Sequence, residues 1–330
     1  MKRLIDIVRS FANRRILVLG DAIADQFLYG DISRVSREAP VFILKHEQTQ
    51  TVPGGAANCA MNLASLGARV SLISAVGNDE AGRALRAQLE QAGIDVSGVI
   101  VSDLIKTTTK VRILAGLSHS IKQQVIRIDY EQNPISDGEL RDSIVDALKK
   151  ALPSAEAAVI SDYDYGVANA ERAIALLREA APLPVLVDSR HRVHNFKGFT
   201  AATPNEDEVE HSMGHSVALK VELELAARAF KNQIKHQALL VTRGPQGMML
   251  LEGDEAPLYI PAVGSQQAVD VTGAGDTVMA TFALGVASGA SFADSARLAN
   301  HAGGLVVMKR GTATVTVVEL EHSILNAEND

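Results

Sequence analysis

The chain has 330 residues, 47% of them hydrophobic and 22% charged, with a formal net charge of −7; this supplies a large core and excludes disorder as the default. The acidic balance, the absence of tryptophan and an aromatic share of only 4% speak against a nucleic-acid surface, which needs a basic face and stacking platforms. One cysteine, Cys59, rules out an internal disulfide, residues 1–10 lack the apolar run of a signal peptide, and no segment suits a bilayer, so a cytoplasmic protein with no membrane contact is expected.

In chain order, residues 15–20 read as a buried strand ending at a glycine turn, with Asp21 and Asp25 just beyond it. Residues 27–45 alternate apolar with polar side chains, which predicts half-buried antiparallel strand. A small-residue helix over 57–66 closes at Gly67, a strand follows over 70–76, and a helix over 79–92 stops at Gly93. Residues 107–128 return to alternation as two β segments joined by a short turn. From about 137 the pattern is strictly α/β: helix 137–151, strand 157–161, helix 169–181, strand 185–188, helix 218–234, strand 238–242 and helix 276–288. Such alternation implies a parallel sheet with right-handed crossovers and ligands at the carboxyl ends of its strands. Asp21, Asp162, Asp188 and Arg243 sit at those ends. The expected fold class is α/β, a mostly parallel sheet between helices, in one domain over 1–330. The segments near 27–45 and 107–128 are expected to form a small antiparallel β lid over the strand ends.

The strongest chemical signal is Asp270-Val271-Thr272-Gly273-Ala274-Gly275-Asp276, immediately before a helix of small and apolar residues. Two glycines and an alanine let a ligand approach the backbone closely. The amides of Gly273, Ala274 and Gly275 then face outward at a helix start, where the dipole also favours negative charge. Asp276, on the first turn beside this anion hole, is placed to take a proton from an attacking hydroxyl, the base role in phosphoryl transfer. No Gly-x4-Gly-Lys-Ser/Thr loop occurs, which excludes a P-loop enzyme, and the first strand lacks a Gly-x-Gly-x-x-Gly dinucleotide turn. A second signal is Gly54-Gly55-Ala56-Ala57-Asn58. The paired glycines leave room for a polyhydroxylated ring, and Asn58 offers both a donor and an acceptor. Asp21 and Asp25 can supply acceptors for sugar hydroxyls, or one of them can instead cap the loop, and Asp162 joins Gly54, Gly55 and Asn58 as a candidate substrate ligand.

At these two motifs the sequence resembles the ribokinase/PfkB carbohydrate kinases, and the resemblance runs from about residue 15 to 320. It implies a ribokinase-like fold, ATP with Mg2+ as cofactors, a sugar substrate, and a β lid that clasps a second subunit in a homodimer. It also implies Asp276 as base and Gly273, Ala274 and Gly275 as anion hole. Asn205 and Glu208, in Thr203-Pro204-Asn205-Glu206-Asp207-Glu208, match an Asn-x-x-Glu element that organises magnesium through water, with Glu206 and Asp207 beside them on the ATP side. Thr242, Gly244 and Gly247 match the loop that holds the nucleotide, and Asn300 falls at the adenine pocket. Asp270 and Thr272, near Gly311-Thr312, match a monovalent-cation loop, here for K+.

Within the family, residues 33–41, 53–62, 161–163 and 270–278 are most similar to a branch that phosphorylates the anomeric hydroxyl of a heptose 7-phosphate on the route to lipopolysaccharide. Many members of that branch carry a further transferase domain; a chain ending at Asp330 is expected to be the monofunctional form. The loops after Asp162 and Asp188 depart from the branch, whose Lys-Gly pairs are missing; Arg190 can replace one lost charge, with different geometry. A phosphorylated sugar needs cations far from Asp276, and Lys110 and Arg112, two apart on one strand face, are the expected pair. The nine histidines, including the pairs His191/His194 and His211/His215, lack a third ligand at metal spacing and read as surface residues.

Overall fold

Ile16, Leu17, Val18 and Leu19 are all buried to within 1%, so the strand they form must have protein on both faces. Ile16 and Val18 point into one apolar cluster, Leu17 and Leu19 into another, as a period of two requires. The computed structural model describes residues 1–117, 122–169, 171–214, 216–217, 219–264 and 267–327. Its opening helix α1 (Lys2–Arg9) leads into that strand, β1 (Arg15–Gly20). The chain then leaves the body as β2 (Ala22–Val35) and β3 (Phe42–Gly55), returning through α2 (Ala56–Ser65), β4 (Arg69–Gly77), α3 (Glu80–Gln91) and β5 (Val99–Ser102). A second excursion, β6 (Thr109–Gly116) and β7 (Gln123–Tyr130), precedes α4 (Gly138–Ala151), β8 (Ala157–Asp162), α5 (Glu171–Glu179), β9 (Val185–Ser189) and β10 (Ala201–Ala202). The remainder is α6 (Glu206–Met213), α7 (Lys220–Ile234), β11 (Ala238–Thr242), β12 (Met248–Glu252), β13 (Leu258–Ile260), α8 (Ala274–Ala287), α9 (Phe292–Val306) and α10 (Val317–Asn326).

Nine strands form the main sheet in the order β13-β12-β11-β10-β9-β8-β1-β4-β5. The sheet is parallel from β5 across to β11, and β12 and β13 are added antiparallel at one edge. Helices α2, α8 and α9 cover one face, with Phe282 and Leu284 at 0% exposure; α4, α5 and α7 cover the other. The fold class is as expected. In the main body, elements read from periodicity fall within two residues of their expected bounds, whereas α1, α6, α9, α10, β5, β10, β12 and β13 were not anticipated. In α9 the run Asn300-His301-Ala302-Gly303-Gly304 has little apolar contrast and two glycines, so its period is hard to read.

The excursions make a four-stranded sheet, β3-β2-β6-β7. Each is an antiparallel hairpin, and the two hairpins join through a parallel β2–β6 pair. The first hairpin is longer than the expected 27–45, because β2 grows out of β1 at Asp21 and β3 runs on to α2. The register sets Lys110 opposite Asp25 and Asp129, and Arg112 opposite Phe27 and Arg127, on one face. Val111, Ile113, Ile126 and Ile128 share the other, where Ile126 and Ile128 are 52% and 39% exposed.

Candidate active site

Helix α8 begins without a side-chain cap, its N-cap position taken by Gly273 at φ 77°. A Cβ on Gly273 would lie 2.4 Å from Asn58 Nδ2, so glycine serves here both the left-handed turn and the close approach of α2. Ala274 N–H turns back to the Val271 carbonyl and Thr277 N–H to that of Gly273. The amides of Gly275 and Asp276 have no backbone acceptor among the described residues, and a Cβ on Gly275 would meet nothing within 4 Å. Open amides, open space and a helix N-terminus together make an anion cradle. Of the three expected amides, those of Gly273 and Gly275 have no acceptor among the described residues, and that of Ala274 is taken.

Asp276 is 3% exposed. Asn58 Nδ2 donates to its Oδ2 at 2.8 Å, and the Tyr163 hydroxyl donates to its Oδ1 at 2.9 Å. Asn62 Nδ2 donates to the Asn58 carbonyl and to Asn58 Oδ1, which turns the Asn58 amine toward the carboxylate. Burial pushes the Asp276 carboxyl up to about 6, although the Asn58 and Tyr163 bonds favour its charged form. Sequence reasoning gave Tyr163 no role. Its only signal was its place directly after Asp162 at the end of β8.

Two strand-end carboxylates expected to meet substrate are tied into hydrogen bonds with the protein. Asp21, 2% exposed, accepts the amides of Tyr163, Tyr165 and Val167 and so holds the 163–167 loop. Burial, then the charge of Asp162, raises its carboxyl to about 6. Asp162 accepts the Ser189 hydroxyl at 2.6 Å and pairs with Arg192. A carboxylate this deep needs such partners, and Asp162 also borders the polar cavity beside Asp276. A Cβ on Gly54 would lie 2.3 Å from the Asp25 carboxylate, and a Cβ on Gly55 would lie 2.6 Å from the Asp21 carbonyl oxygen. Both glycines are thus required by the close approach of protein atoms.

Asn205 and Glu208 cap α6 reciprocally: Asn205 Oδ1 accepts Glu208 N–H at 2.8 Å, and Glu208 Oε2 accepts Asn205 N–H at 2.9 Å. Burial raises the Glu208 carboxyl; Asp188 is raised well above its ordinary range by burial and by the nearby Glu208 charge. Glu206 and Asp207 stand outside the site. Glu206 pairs with Arg243 at 2.8 Å, and Asp207 is exposed, because successive helix positions point in different directions.

Two cavities meet at the start of α8. One, of about 240 Å3, is polar and is lined by Asp188, Arg190, Asn205, Glu208 and Asp276. The other, of about 250 Å3, is apolar and is lined by Met248, Val263, Val278 and Val307 together with the expected Thr242, Gly244, Gly247 and Asn300. Thr242, Val271 and Gly275 border both. Asn300 Nδ2 donates to the Pro261 carbonyl at 2.8 Å, which fixes the loop that walls the apolar cavity. Asp270 accepts the amides of Thr272 and Gly311, each at 2.9 Å, clasping the 311 turn to the phosphate loop. Burial raises its carboxyl, but these bonds outweigh burial and the net shift is downward.

On the lid, the two cations expected to hold a phosphate are already taken. Arg112, 8% exposed, pairs with buried Asp25 and lies over the Phe27 ring. Lys110, 6% exposed, reaches Asp129 at 3.2 Å and Glu131 at 3.3 Å. A buried cation without a counter-charge would be costly, and the lid supplies one to each. His215 lies outside the described residues; among those described, no group of three or more His, Cys, Asp or Glu residues is gathered to hold a metal ion.

An apolar cavity of about 250 Å3, an open helix N-terminus and a buried carboxylate facing a polar cavity suit a phosphotransferase acting on a hydroxyl. The chain belongs to the pfkB family, whose model matches residues 13–318. The family is one of carbohydrate kinases. It is 41% identical over 317 residues to the bifunctional protein HldE of Yersinia enterocolitica, and 40% identical over 327 residues to that of Caulobacter vibrioides. These matches cover 95% and 98% of this chain but 64% and 66% of the relatives, so the chain spans about two thirds of their length or slightly less. Among solved structures, Arabidopsis thaliana ribokinase complexed with ribose and ATP superposes with a TM-score of 0.73 at 21% identity, covering 95% of this chain and 99% of that one. Escherichia coli phosphofructokinase-2 in complex with potassium gives 0.77 at 16%, covering 96% and 99%.

Proposed function

We propose that the enzyme transfers the γ-phosphoryl group of ATP to the anomeric C1 hydroxyl of D-glycero-β-D-manno-heptose 7-phosphate, giving the 1,7-bisphosphate, a precursor of ADP-heptose and the lipopolysaccharide core. One observation carries the chemistry: the Asp276 carboxylate, held by Asn58 and Tyr163, opens beside the uncapped start of α8 where the two cavities meet. The heptose assignment is supported by the resemblance of residues 33–41, 53–62, 161–163 and 270–278 to that branch.

In this reading the nucleotide base occupies the apolar cavity and the triphosphate crosses Gly275. Asp276 accepts the proton of the C1 hydroxyl as its oxygen attacks the γ-phosphorus, and ADP departs. The amides of Gly275 and Asp276 and the α8 dipole stabilise the charge that spreads over the phosphoryl oxygens. Closure of the lid excludes water, the competing acceptor. The donor set fits magnesium: Glu208 and Asp188 are hard oxygen ligands, both raised by burial, and the Glu208 charge raises Asp188 further. They and Asn205 would hold the ion through water, and it would neutralise phosphate oxygens. A potassium requirement at Asp270 and Thr272 is part of the proposal. So are one kinase domain over 1–330, a cytoplasmic location where ATP is available, and a homodimer through the apolar outer face of the lid.

The test is ADP release with ATP, magnesium and a panel of sugars that includes D-glycero-β-D-manno-heptose 7-phosphate, using the wild type beside Asp276→Asn. Turnover of the heptose phosphate that disappears in the variant is expected. Turnover of a different sugar would discard the heptose assignment, and an active Asp276→Asn would discard the base.

A further inference from the structure

The cations around the strand ends are nearly all neutralised. Arg112 pairs with Asp25, Lys110 with Asp129 and Glu131, Arg192 with Asp162 and Asp164, and Arg243 with Glu206. Arg190 differs. It is exposed, lines the polar cavity beside Asp276, and has no ion pair among the described residues. Its guanidinium carbon lies 4.9 Å from the centroid of the Tyr163 ring, within the range of a cation–π contact. The same tyrosine donates its hydroxyl to Asp276 Oδ1. Tyr163 therefore touches the two groups that matter for charge at this site, one through each end of its side chain. Its own place is fixed from below, because its backbone amide donates to Asp21 Oδ2 at 2.8 Å.

We propose that Tyr163 is a positioning residue of the transfer site. Its hydroxyl fixes the orientation of Asp276, and its ring face presents Arg190 as the unpaired cation that meets the transferred phosphoryl group. This deepens the reading of Asp276 as the base and rests on it. Arg190 is flat enough to lie on a ring while its N–H fork points into the cavity, which an ammonium does not reproduce. The anion cradle at Gly275 and Asp276 supplies only backbone dipoles, so a full positive charge opposite it would share the charge developing in transfer. The ordering of the buried Asp21 carboxylate is also explained: it anchors the loop that carries the tyrosine.

Charged and titratable groups face Asp276 from several elements. Asp25 comes from β2, Cys59 from α2, Tyr163 from the loop after β8, and Asp188 and Arg190 from the end of β9. Asp25 raises the Asp276 carboxyl, whereas the Tyr163 bond and the Arg190 charge lower it. Removing either of the latter must therefore make Asp276 harder to ionise. Carbon-13 NMR titration of the aspartate carboxyls in the sugar-free protein, with Asp276 assigned by its loss in Asp276→Asn, reads this without turnover. Tyr163→Phe keeps the ring and loses only the hydroxyl; its Asp276 titration should move up by about one pH unit from about 6. The acid limb of kcat/KM should move with it, while KM for ATP stays unchanged. Arg190→Gln should move the titration in the same direction and lower kcat by roughly 10²–10³-fold, with Arg190→Lys restoring only part.

A purely structural tyrosine would lower stability and leave the titration in place. An unmoved Asp276 titration in Tyr163→Phe overturns the proposal while the base reading stands. An active Asp276→Asn overturns the base reading itself. Should Tyr163→Phe fold poorly, the exposed Arg190 carries the test, since Arg190→Gln with unchanged kcat and titration also overturns it.

Discussion

Gly275 and Gly273 stand two residues apart in one loop, yet a methyl group should do opposite things at each. At Gly275 a Cβ would meet no protein atom within 4 Å, and the residue lies inside α8. Replacing a helical glycine with alanine gains about 0.5–1 kcal/mol in such a position. Gly275→Ala should therefore melt at or above the wild-type temperature. The same methyl enters the space where the phosphate chain would cross and covers an open amide. Loss of one such donor costs about 10²–10³ in rate, or roughly 2.7–4 kcal/mol of transition-state stabilisation. At Gly273 the φ of 77° and the 2.4 Å approach of Asn58 Nδ2 reverse the balance. Gly273→Ala should lose about 1–2 kcal/mol to backbone strain, plus whatever is lost when Asn58 leaves Asp276. Thermal melts and ADP-release kinetics, with titration calorimetry of ATP, separate the two. A Gly275→Ala enzyme that is stable, binds ATP normally and turns over at the wild-type rate would refute the argument that phosphate approaches this backbone.

Three further outcomes follow from contacts described above. Arg112→Ala leaves the Asp25 carboxylate, 4% exposed, without its counter-charge, and should cost about 3–5 kcal/mol in denaturant unfolding; an unchanged midpoint would show that Asp25 takes up a proton instead. Asp21→Ala removes the acceptor of three loop amides. It should lower kcat more than stability alone explains, and hydrogen exchange at Tyr163, Tyr165 and Val167 should accelerate; unaltered exchange there would count against the anchor. Ile128→Lys places a charge on the apolar outer face of the lid, and sedimentation velocity should show a dimer reduced to a monomer; a wild-type monomer would remove the dimer altogether.

What could be read from the residues depended on how locally each feature is encoded. The strand 238–242 was legible to its ends because five successive residues carry the signal, and the phosphate loop because its glycines precede a helix directly. The parallel join between β2 and β6 was not legible, since the partners are far apart in sequence and no spacing links Phe27 to Arg112. Asp21 shows the opposite failure. A carboxylate at a strand end looks like a ligand, but its partners are the amides of a loop that begins more than a hundred residues later. Lys110 and Arg112 failed for the same reason. Their charge is visible in sequence, whereas the carboxylates that neutralise them come from another strand. Tyr163 was missed because nothing in its neighbourhood distinguishes a tyrosine that reaches across to α8 from one that packs on its own loop.

The parallel join also bears on how the protein comes to be folded. The first hairpin, β2 and β3, cannot gain its neighbour β6 until the chain has passed through α2, β4, α3 and β5. Contacts of such long separation are slow to form, because loop closure must precede the pairing that rewards it. On a ribosome the first hairpin emerges with one edge unpaired and with Val35, Val41 and Phe42 at 54%, 54% and 58% exposure even in the finished structure. An open strand edge beside apolar side chains is a template for the wrong partner. The four-stranded sheet is thus a part of the molecule in particular need of shelter during synthesis.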